Sequence, residues 1–586
     1  VRPGRRYVLD VPTPTDLRVP RWVRLTLGIL AVLLGAVLAV RPFSSLAVLV
    51  VLVVAGLLVV GVGELTGGDR WGVLRGVVSL AAALAILVWP GVTIRVLALV
   101  VAVALVAGGA LDAVAARGAR GSARADAVLG GGTAIVLGLL ALAWPDVTVL
   151  AIAVVFGVRL VIVGVRAIAG AVRGRDTDLG RFGLGRGRPR GGRRRLTGTV
   201  LGALVALLLV VLNVVVHRGV PAPDAFYDPP GDVPSAPGQL LGSEPFASGE
   251  IPAGSRAWRI LYTTTRDEGR PAIASGLVVA PTSSSPSPVI AWAHGTTGVV
   301  SGCAPSVLDD GLAAGAMFVQ DDVLAQGWAL VAPDYTGLGT AGPHPYLIGQ
   351  GEGRSVLDAV RAAHQLDGPT LTDQTVVWGH SQGGHAALWA GMLAPTYAPD
   401  LRIDGVAAAA PASNLPGLVD VMEDVTGGAL FASYVVDAYT GEYPDVSYEA
   451  LVRPGARIIV RETAQRCLAE PGVLVSALTS VALDKPIWHG DPSSGVFLDR
   501  LEENVPSGAI EAPLLIGQGA DDGLVLPSAQ VAYVADRCAA GHPVDYRTYA
   551  GRGHVPIVEA DSPLIPELVA WTADRFAGAP PVDTCP

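Results

Sequence analysis

The chain has 586 residues, 51% of them apolar but only 6% aromatic, and a net charge of −9; its mean hydropathy of +0.49 is too high for an ordinary soluble enzyme. The charge is divided: residues 1–220 hold 25 Arg and 9 acidic residues, net +16, and residues 221–586 hold 17 basic and 42 acidic residues, net −25. A basic, apolar half joined to an acidic half speaks for two environments, and speaks against a nucleic-acid binder, because the arginines lie between apolar runs rather than on a polar face with aromatics.

From the amino end, seven apolar segments stand out, at about 22–40, 46–63, 71–89, 92–111, 127–144, 147–169 and 197–216. Each has roughly the twenty residues that a helix needs to cross a bilayer. In lipid, a single segment satisfies its own backbone groups only as a helix. Soluble helices of this length carry a polar face, and these segments do not. Residues 1–216 are therefore read as an all-α transmembrane domain of about seven helices. Arginine sets the expected orientation. Arg2, Arg5, Arg6, Arg18, Arg21 and Arg24 precede the first span. The loops on that side carry Arg70, then Arg117, Arg120 and Arg124, then nine arginines from Arg173 to Arg195. The opposite loops, RPFSS, WPGVT and WPDVT, hold only Arg41. Positive loops stay cytoplasmic, so the amino terminus is expected inside the plasma membrane and everything beyond Val216 outside.

Pro42, Pro90 and Pro145 each break one helix and open a hairpin into the next. The hairpins RPFSSLAVLV, WPGVTIRVLALV and WPDVTVLAIAVV resemble the short-repeat membrane domain of the acid-resistance (HdeD-type) family, over about residues 25–170. That resemblance implies a membrane domain and brings no chemistry with it. Arg75, Arg95 and Arg166 lie towards span ends, where long side chains snorkel, so the domain is read as an anchor in contact with membrane lipids. No small-x-small cleavage site follows the seventh span, which is expected to stay attached. Residues 217–250, through PAPDAFYDPPGDVPSAPG, have the proline and glycine density of a stiff, extended linker.

Residues 251–586 change character. Short β-rich runs (RILYTTT, SGLVVAP, PVIAWAHG, WALVAPDY, TVVWGHS, GVAAAAP, PLLIGQG) alternate with helical stretches such as EGRSVLDAVRAAHQL and QGGHAALWAGML. The alternation predicts a mostly parallel sheet with helices on both faces, whose chemistry collects at the carboxyl ends of the strands.

Three strand ends carry reactive residues. Gly379-His380-Ser381-Gln382-Gly383, between the strand VVW and the helix AALWAGML, is a G-x-S-x-G elbow that lifts a serine hydroxyl above the sheet. Asp521-Asp522 follows PLLIGQG. His554 closes YRTYAGRGH. The order Ser, Asp, His is that of the α/β-hydrolase fold, in which histidine takes the serine proton and a carboxylate fixes its tautomer. Asp522, three residues after Gly519 and just before Leu524-Val525, is the preferred carboxylate, with Asp521 its exposed neighbour. His380 and His385 are tethered too closely to Ser381 to serve as its base. His364, His489 and His542 are not at strand ends. An oxyanion hole needs two donors. These are expected from the backbone N–H of Gln382 and from Thr296, in the loop His294-Gly295-Thr296-Thr297-Gly298.

HGTTG, SGCAPS, GWALVAPDYTGLGT with PHPYL, GHSQGG, GQGADDGLVLP and GRGH together resemble the secretory lipase family of lipase-A-like α/β hydrolases, over about residues 240–580. The resemblance implies Ser381, Asp522 and His554 as triad and Thr296 and Gln382 as oxyanion hole, although some members carry Asp at the position of Thr296. It also implies a helical cap before the aspartate. Residues 414–505, with NLPGLVDVMEDV, ALFASYVVDAY and GVLVSALTSVAL, can supply one and cover the acyl site. All four cysteines, Cys303, Cys467, Cys538 and Cys585, lie in this half. An even number outside the cell suggests disulfides, with three possible pairings. The lipase-like pattern favours Cys303–Cys467 and Cys538–Cys585. No Cys/His cluster has zinc spacing, and neither metal nor cofactor is expected.

The expected function is that of a membrane-tethered, outward-facing serine esterase or lipase acting on lipid or other esters. The alternatives are an acyltransferase of envelope lipids, with the same triad, and a membrane sensor or scaffold with a non-catalytic hydrolase domain. Acyl length, alcohol and oligomeric state are not written in the residues.

Overall fold

A computed structural model of the protein describes residues 21–40, 54, 58, 70–88, 94–118, 120–144 and 192–217, scattered positions between 157 and 173, and residues 221–585 apart from 230, 232, 284, 423, 426, 484 and 485. The chain forms two compact units, Val1–Ala206 and Leu207–Pro586.

The first unit is helical: α1 (Arg21–Val40), α2 (Arg70–Val88), α3 (Ile94–Ala115) and α4 (Ser122–Ala143), followed by α5 (Gly192–His217), which runs across the division. Five of the expected spans coincide with these helices. Those at 46–63 and 147–169, and the hairpin prolines Pro42, Pro90 and Pro145, lie largely outside the described residues. Small residues let α3 and α4 meet backbone to backbone. A Cβ on Gly109 would strike the carbonyl of Gly131, one on Gly131 would strike that of Gly109, and one on Gly138 would come within 2.8 Å of the Ala102 carbonyl. Such close approach through small residues is how helices associate where no water drives them together. Leu99, Val103, Leu139 and Leu142 face outward on the same two helices. Among the described residues, one helix, Ala123–Ala143, is long and apolar enough to cross a membrane by length and composition.

The second unit is built on one nine-stranded sheet: β1 (Leu240–Phe246), β2 (Ser255–Thr265), β3 (Pro271–Pro281), β4 (Ser287–Ala293), β5 (Ala329–Thr336), β6 (Leu371–His380), β7 (Arg402–Ala409), β8 (Leu514–Gly519) and β9 (Asp545–Tyr549). The order is β1-β2-β3-β5-β4-β6-β7-β8-β9. The first three strands and β5 pair antiparallel, and β5 to β9 are parallel. The expected sheet is thus mixed, with an antiparallel edge. The stretch expected as linker is docked in its distal part: Tyr227 is buried, its hydroxyl donates to the Ser306 carbonyl at 2.9 Å, and residues 240–246 pair with β2 as an edge strand. An edge tolerates Pro245, which no central strand would.

Helices α6 (Gly349–Ala363) and α7 (Gln382–Tyr397) pack on one face of the sheet, and α14 (Leu564–Phe576) on the other. Alternation along β6 sends Val377 to the first core and Val376 and Trp378 to the second, as a strand buried on both faces requires. Between β7 and β8 come α8 (Leu415–Val421), α9 (Gly428–Glu442), α10 (Arg457–Ala464), α11 (Gly472–Ala482) and α12 (Gly495–Glu503). They enclose a core of their own around Leu415, Tyr434, Tyr439, Val460 and Phe497. A disulfide joins Cys467 of this insertion to Cys303 of the sheet domain, and Arg266 and Arg270 at the β2–β3 turn both pair with the buried Glu442 of α9. After β8, α13 (Pro527–Ala539) is bound to the carboxyl end of the chain by Cys538–Cys585.

Candidate active site

Ser381 stands between β6 and α7 at φ 59° and ψ −119°, a conformation that costs a residue with a Cβ and persists only where its surroundings impose it. Here its own N–H donates to the Ala409 carbonyl at 3.0 Å, and its carbonyl accepts from Ala412 N–H at 3.1 Å. The glycines on either side are required by space. A Cβ on Gly379 would collide with the Gly383 carbonyl, and one on Gly383 with the carbonyl of Ala293 at the end of β4. Strand and helix can therefore meet only through glycine, and the hydroxyl is left above the strand ends.

The structure brings the three residues singled out for the triad together. His554 Nε2 is 2.8 Å from Ser381 Oγ, and His554 Nδ1 is 2.8 Å from Asp522 Oδ2. Asp522 is buried after β8. Its Oδ1 accepts from Leu524 N–H and Val525 N–H, both at 2.9 Å, and Gln518 donates to Oδ2 at 3.2 Å. Burial pushes this carboxyl up, but the His554 ring and the two backbone donors outweigh it and hold the group below the usual carboxylate range. Asp521 is exposed, and its backbone N–H donates to the Arg552 carbonyl at 2.9 Å. Of the two adjacent aspartates, the turn gives Asp522, the one preferred from its spacing, to His554.

The remaining histidines separate clearly. His380 is buried, and its Nε2–H donates to the backbone carbonyl of His554 at 2.8 Å. Desolvation, with the neighbouring His554, brings it down to about 3, so the ring is neutral. His385 is buried against Glu352. His364 and His489 are exposed, and His542 is half-buried.

Thr296 and Gln382, expected at the oxyanion hole, are both buried. Gln382 opens α7, where a backbone N–H lacks an intrahelical acceptor and carries part of the positive end of the helix dipole. Register aligns Ala293 of β4 with Gly379 of β6, which sets the loop bearing Thr296 beside the elbow. Thr296 Oγ1 shares a hydrogen bond with Tyr346 Oη at 2.9 Å. Next to it, the Thr297 carbonyl accepts from Leu468 N–H at 2.8 Å, one residue from the Cys303–Cys467 bond. Tyr346, His344 and Glu352 are the residues that the sequence reading missed. The first two stand in PHPYL, noticed only as a family motif; Glu352 stands in a helix otherwise read for its periodicity. A cavity of about 610 Å³ opens between Val421, Val425 and Phe431 of the insertion and Gly523, Leu524 and Leu526 beside Asp522.

Residues 312–584 match the family model described as secretory lipase, and residues 26–72, 74–134 and 129–185 match that of a short repeat of unknown function. Lipase 6 of Candida albicans is 25% identical over 406 residues, covering 62% of this chain and 83% of that protein. A probable inactive lipase of Mycobacterium tuberculosis is 29% identical over 395 residues, covering 62% of this chain and 84% of that one. Among solved structures, Candida antarctica lipase A superposes with a TM-score of 0.52 at 21% identity, over 63% of this chain and 89% of that one, which shows a common fold. With its repeats of unknown function ahead of it, the unit that joins Ser381, His554 and Asp522 is similar to the secretory lipases, matching their family model over residues 312–584.

Proposed function

We propose that the chain is a carboxylic ester hydrolase of the esterase or lipase type, anchored in the plasma membrane by residues 1–216, with residues 251–586 facing outward and 414–505 as their cap. The observation that carries the reading is the unbroken line Asp522–His554–Ser381, with both links at 2.8 Å, at the carboxyl ends of parallel strands. Ser381 attacks an ester carbonyl while His554 takes its proton, and Asp522 holds the ring in the tautomer that can accept it. The negative charge that forms on the carbonyl oxygen is met by Gln382 N–H and by Thr296, fixed before the reaction begins. His554 then protonates the leaving alcohol, and water releases the acid from Ser381 by the same route. The arginine-bearing loops and apolar helices of the first unit support a tether with its amino terminus inside. Holding the site near a bilayer would raise the effective concentration of lipid esters.

A non-catalytic unit is the second reading, drawn from the name of the mycobacterial relative. The connected triad favours turnover instead. A fluorophosphonate probe tests the point on the whole chain in detergent. The proposal expects labelling that Ser381→Ala removes; a folded wild-type protein that takes no label, or a variant labelled equally, would contradict it.

A further inference from the structure

Glu352, in the first turn of α6, is fully buried and takes no part in the triad. A carboxylate withdrawn from water is costly unless its oxygens are matched, and here they are. Oε1 accepts from Leu347 N–H at 2.9 Å and from the side-chain amide of Gln382 at 2.8 Å. Oε2 is 2.8 Å from Nδ1 of His385, which is equally buried. The other nitrogen of that ring, Nε2, is 2.8 Å from the carbonyl oxygen of Asn504. A carbonyl oxygen only accepts, so Nε2 carries a hydrogen. One further proton then lies between Nδ1 and Oε2, in a hydrogen bond closed off from solvent.

The same logic of donors and acceptors fixes His344. Its Nδ1–H donates to the Thr336 carbonyl at 3.1 Å, which leaves Nε2 as an acceptor for the Gln382 amide at 2.9 Å. Burial, helped by nearby His294, brings His344 down to about 3 and keeps it an acceptor. The two N–H hydrogens of the Gln382 side chain are thus held at two points, by Glu352 and His344. Glu352 also holds His385, whose own backbone N–H donates to the Ser381 carbonyl at 3.1 Å. Between Gln382 and His385 lie Gly383 and Gly384, which have no side chains to hold their turn. Glu352 therefore grips the first turn of α7 on both sides of a segment that cannot grip anything itself.

We infer that Glu352, with His344 and His385, is a positioning residue for the oxyanion hole: it fixes the first turn of α7 so that Gln382 N–H stays aimed where the ester oxygen becomes negative. The inference rests on Gln382 being an oxyanion donor. Energy and geometry point the same way, because a donor contributes to rate only if it is in place before charge develops. Filling the same volume with an apolar side chain would avoid the cost of burying two ionisable groups; it would also release the Gln382 amide.

The test uses the whole chain in detergent micelles with p-nitrophenyl butyrate, the active fraction being counted by fluorophosphonate titration. Glu352→Leu removes the grip; Gln382→Met removes the gripped amide and keeps the backbone N–H. Each is expected to lower kcat about tenfold to a hundredfold with KM nearly unchanged, short of the roughly hundred- to thousandfold that follows loss of an oxyanion donor itself. Glu352→Gln can still accept from Leu347 and Gln382 and can donate to a neutral His385, so it should stay within about threefold of wild type. Should Glu352→Leu fail to fold, Gln382→Met carries the test. The role is overturned if Gln382→Met keeps wild-type kcat, if the loss falls on KM alone, or if Glu352→Gln is as damaged as Glu352→Leu. Activity surviving in Ser381→Ala would sink the reading of the site itself, a failure told apart from a dead Ser381→Ala beside an unimpaired Gln382→Met.

Discussion

His554 Nε2 lies 2.8 Å from Ser381 Oγ across 173 residues of chain, and the ring is held from its other side by Asp522 and not by Asp521. The adjacent aspartates therefore make a controlled comparison. Asp522→Asn leaves the shape of the turn but frees the imidazole to adopt the wrong tautomer, so kcat should fall by about ten-thousandfold. Asp521→Asn changes an exposed side chain and should stay within about twofold, since surface substitutions seldom matter. Steady-state kinetics on one short-chain ester decides it. Equal losses in the two variants would place the carboxylate wrongly.

Cys303–Cys467 ties the helical insertion to the loop that carries Thr296, whereas Cys538–Cys585 ties down the end of the chain. Replacing either pair with serine should cost about 2–5 kcal/mol of stability. Only the first should also lower kcat/KM at a temperature where both variants remain folded, because only it lies beside Leu468 N–H and the Thr297 carbonyl. Urea midpoints and kinetics on the same preparations check both halves of the statement.

Much of the catalytic unit is legible in its residues because each signal is local. Apolar runs of strand length announce β2 to β8, and the glycines around Ser381 announce an elbow that has no room for a Cβ. What is not legible is what the fold assembles from distant or unremarkable pieces. β1 reads LLGSEPF, with a glycine and a proline inside it, and becomes a strand only because β2 offers an edge. Glu352, Gln382 and His385 form one buried cluster across about thirty residues. In the sequence Glu352 is one charge in an amphipathic helix, and His385 is a histidine too near the serine to act on it. The preference for Asp522 over Asp521, by contrast, is legible from its spacing after Gly519, and the backbone donors of that turn point at Asp522.

Asp334, at the carboxyl end of β5, is fully buried and accepts from Ser275, from Ser306 N–H at 2.9 Å and from the Ser306 hydroxyl. Burial pushes its carboxyl up to about 6 despite these donors. The folded state thus binds the proton more tightly than the unfolded chain, where an aspartate titrates near ~3.9. Such a group stabilises the fold below the unfolded value and loses that contribution as pH rises through the folded one. Each tenfold gain in proton affinity corresponds to about 1.4 kcal/mol. Between pH 4 and 7, wild type should therefore lose about 2 kcal/mol relative to Asp334→Asn. Urea unfolding of both proteins at the two pH values measures the difference; a constant gap would refute the assignment.

The orientation of the first unit has its own test. An epitope fused after the last residue should be reached by antibody on intact cells, and one placed before Arg21 only after permeabilisation, if the arginine-rich loops lie inside. The reverse pattern would turn the whole reading over and leave the two cysteine pairs in a reducing compartment.

The most direct measurement is hydrolysis of a p-nitrophenyl ester series, from acetyl to palmitoyl, by the whole chain and by Ser381→Ala. The account predicts turnover with an optimum in acyl length, abolished in the variant. No turnover by a folded, oxidised wild-type protein, or turnover that survives the loss of Ser381, would contradict it.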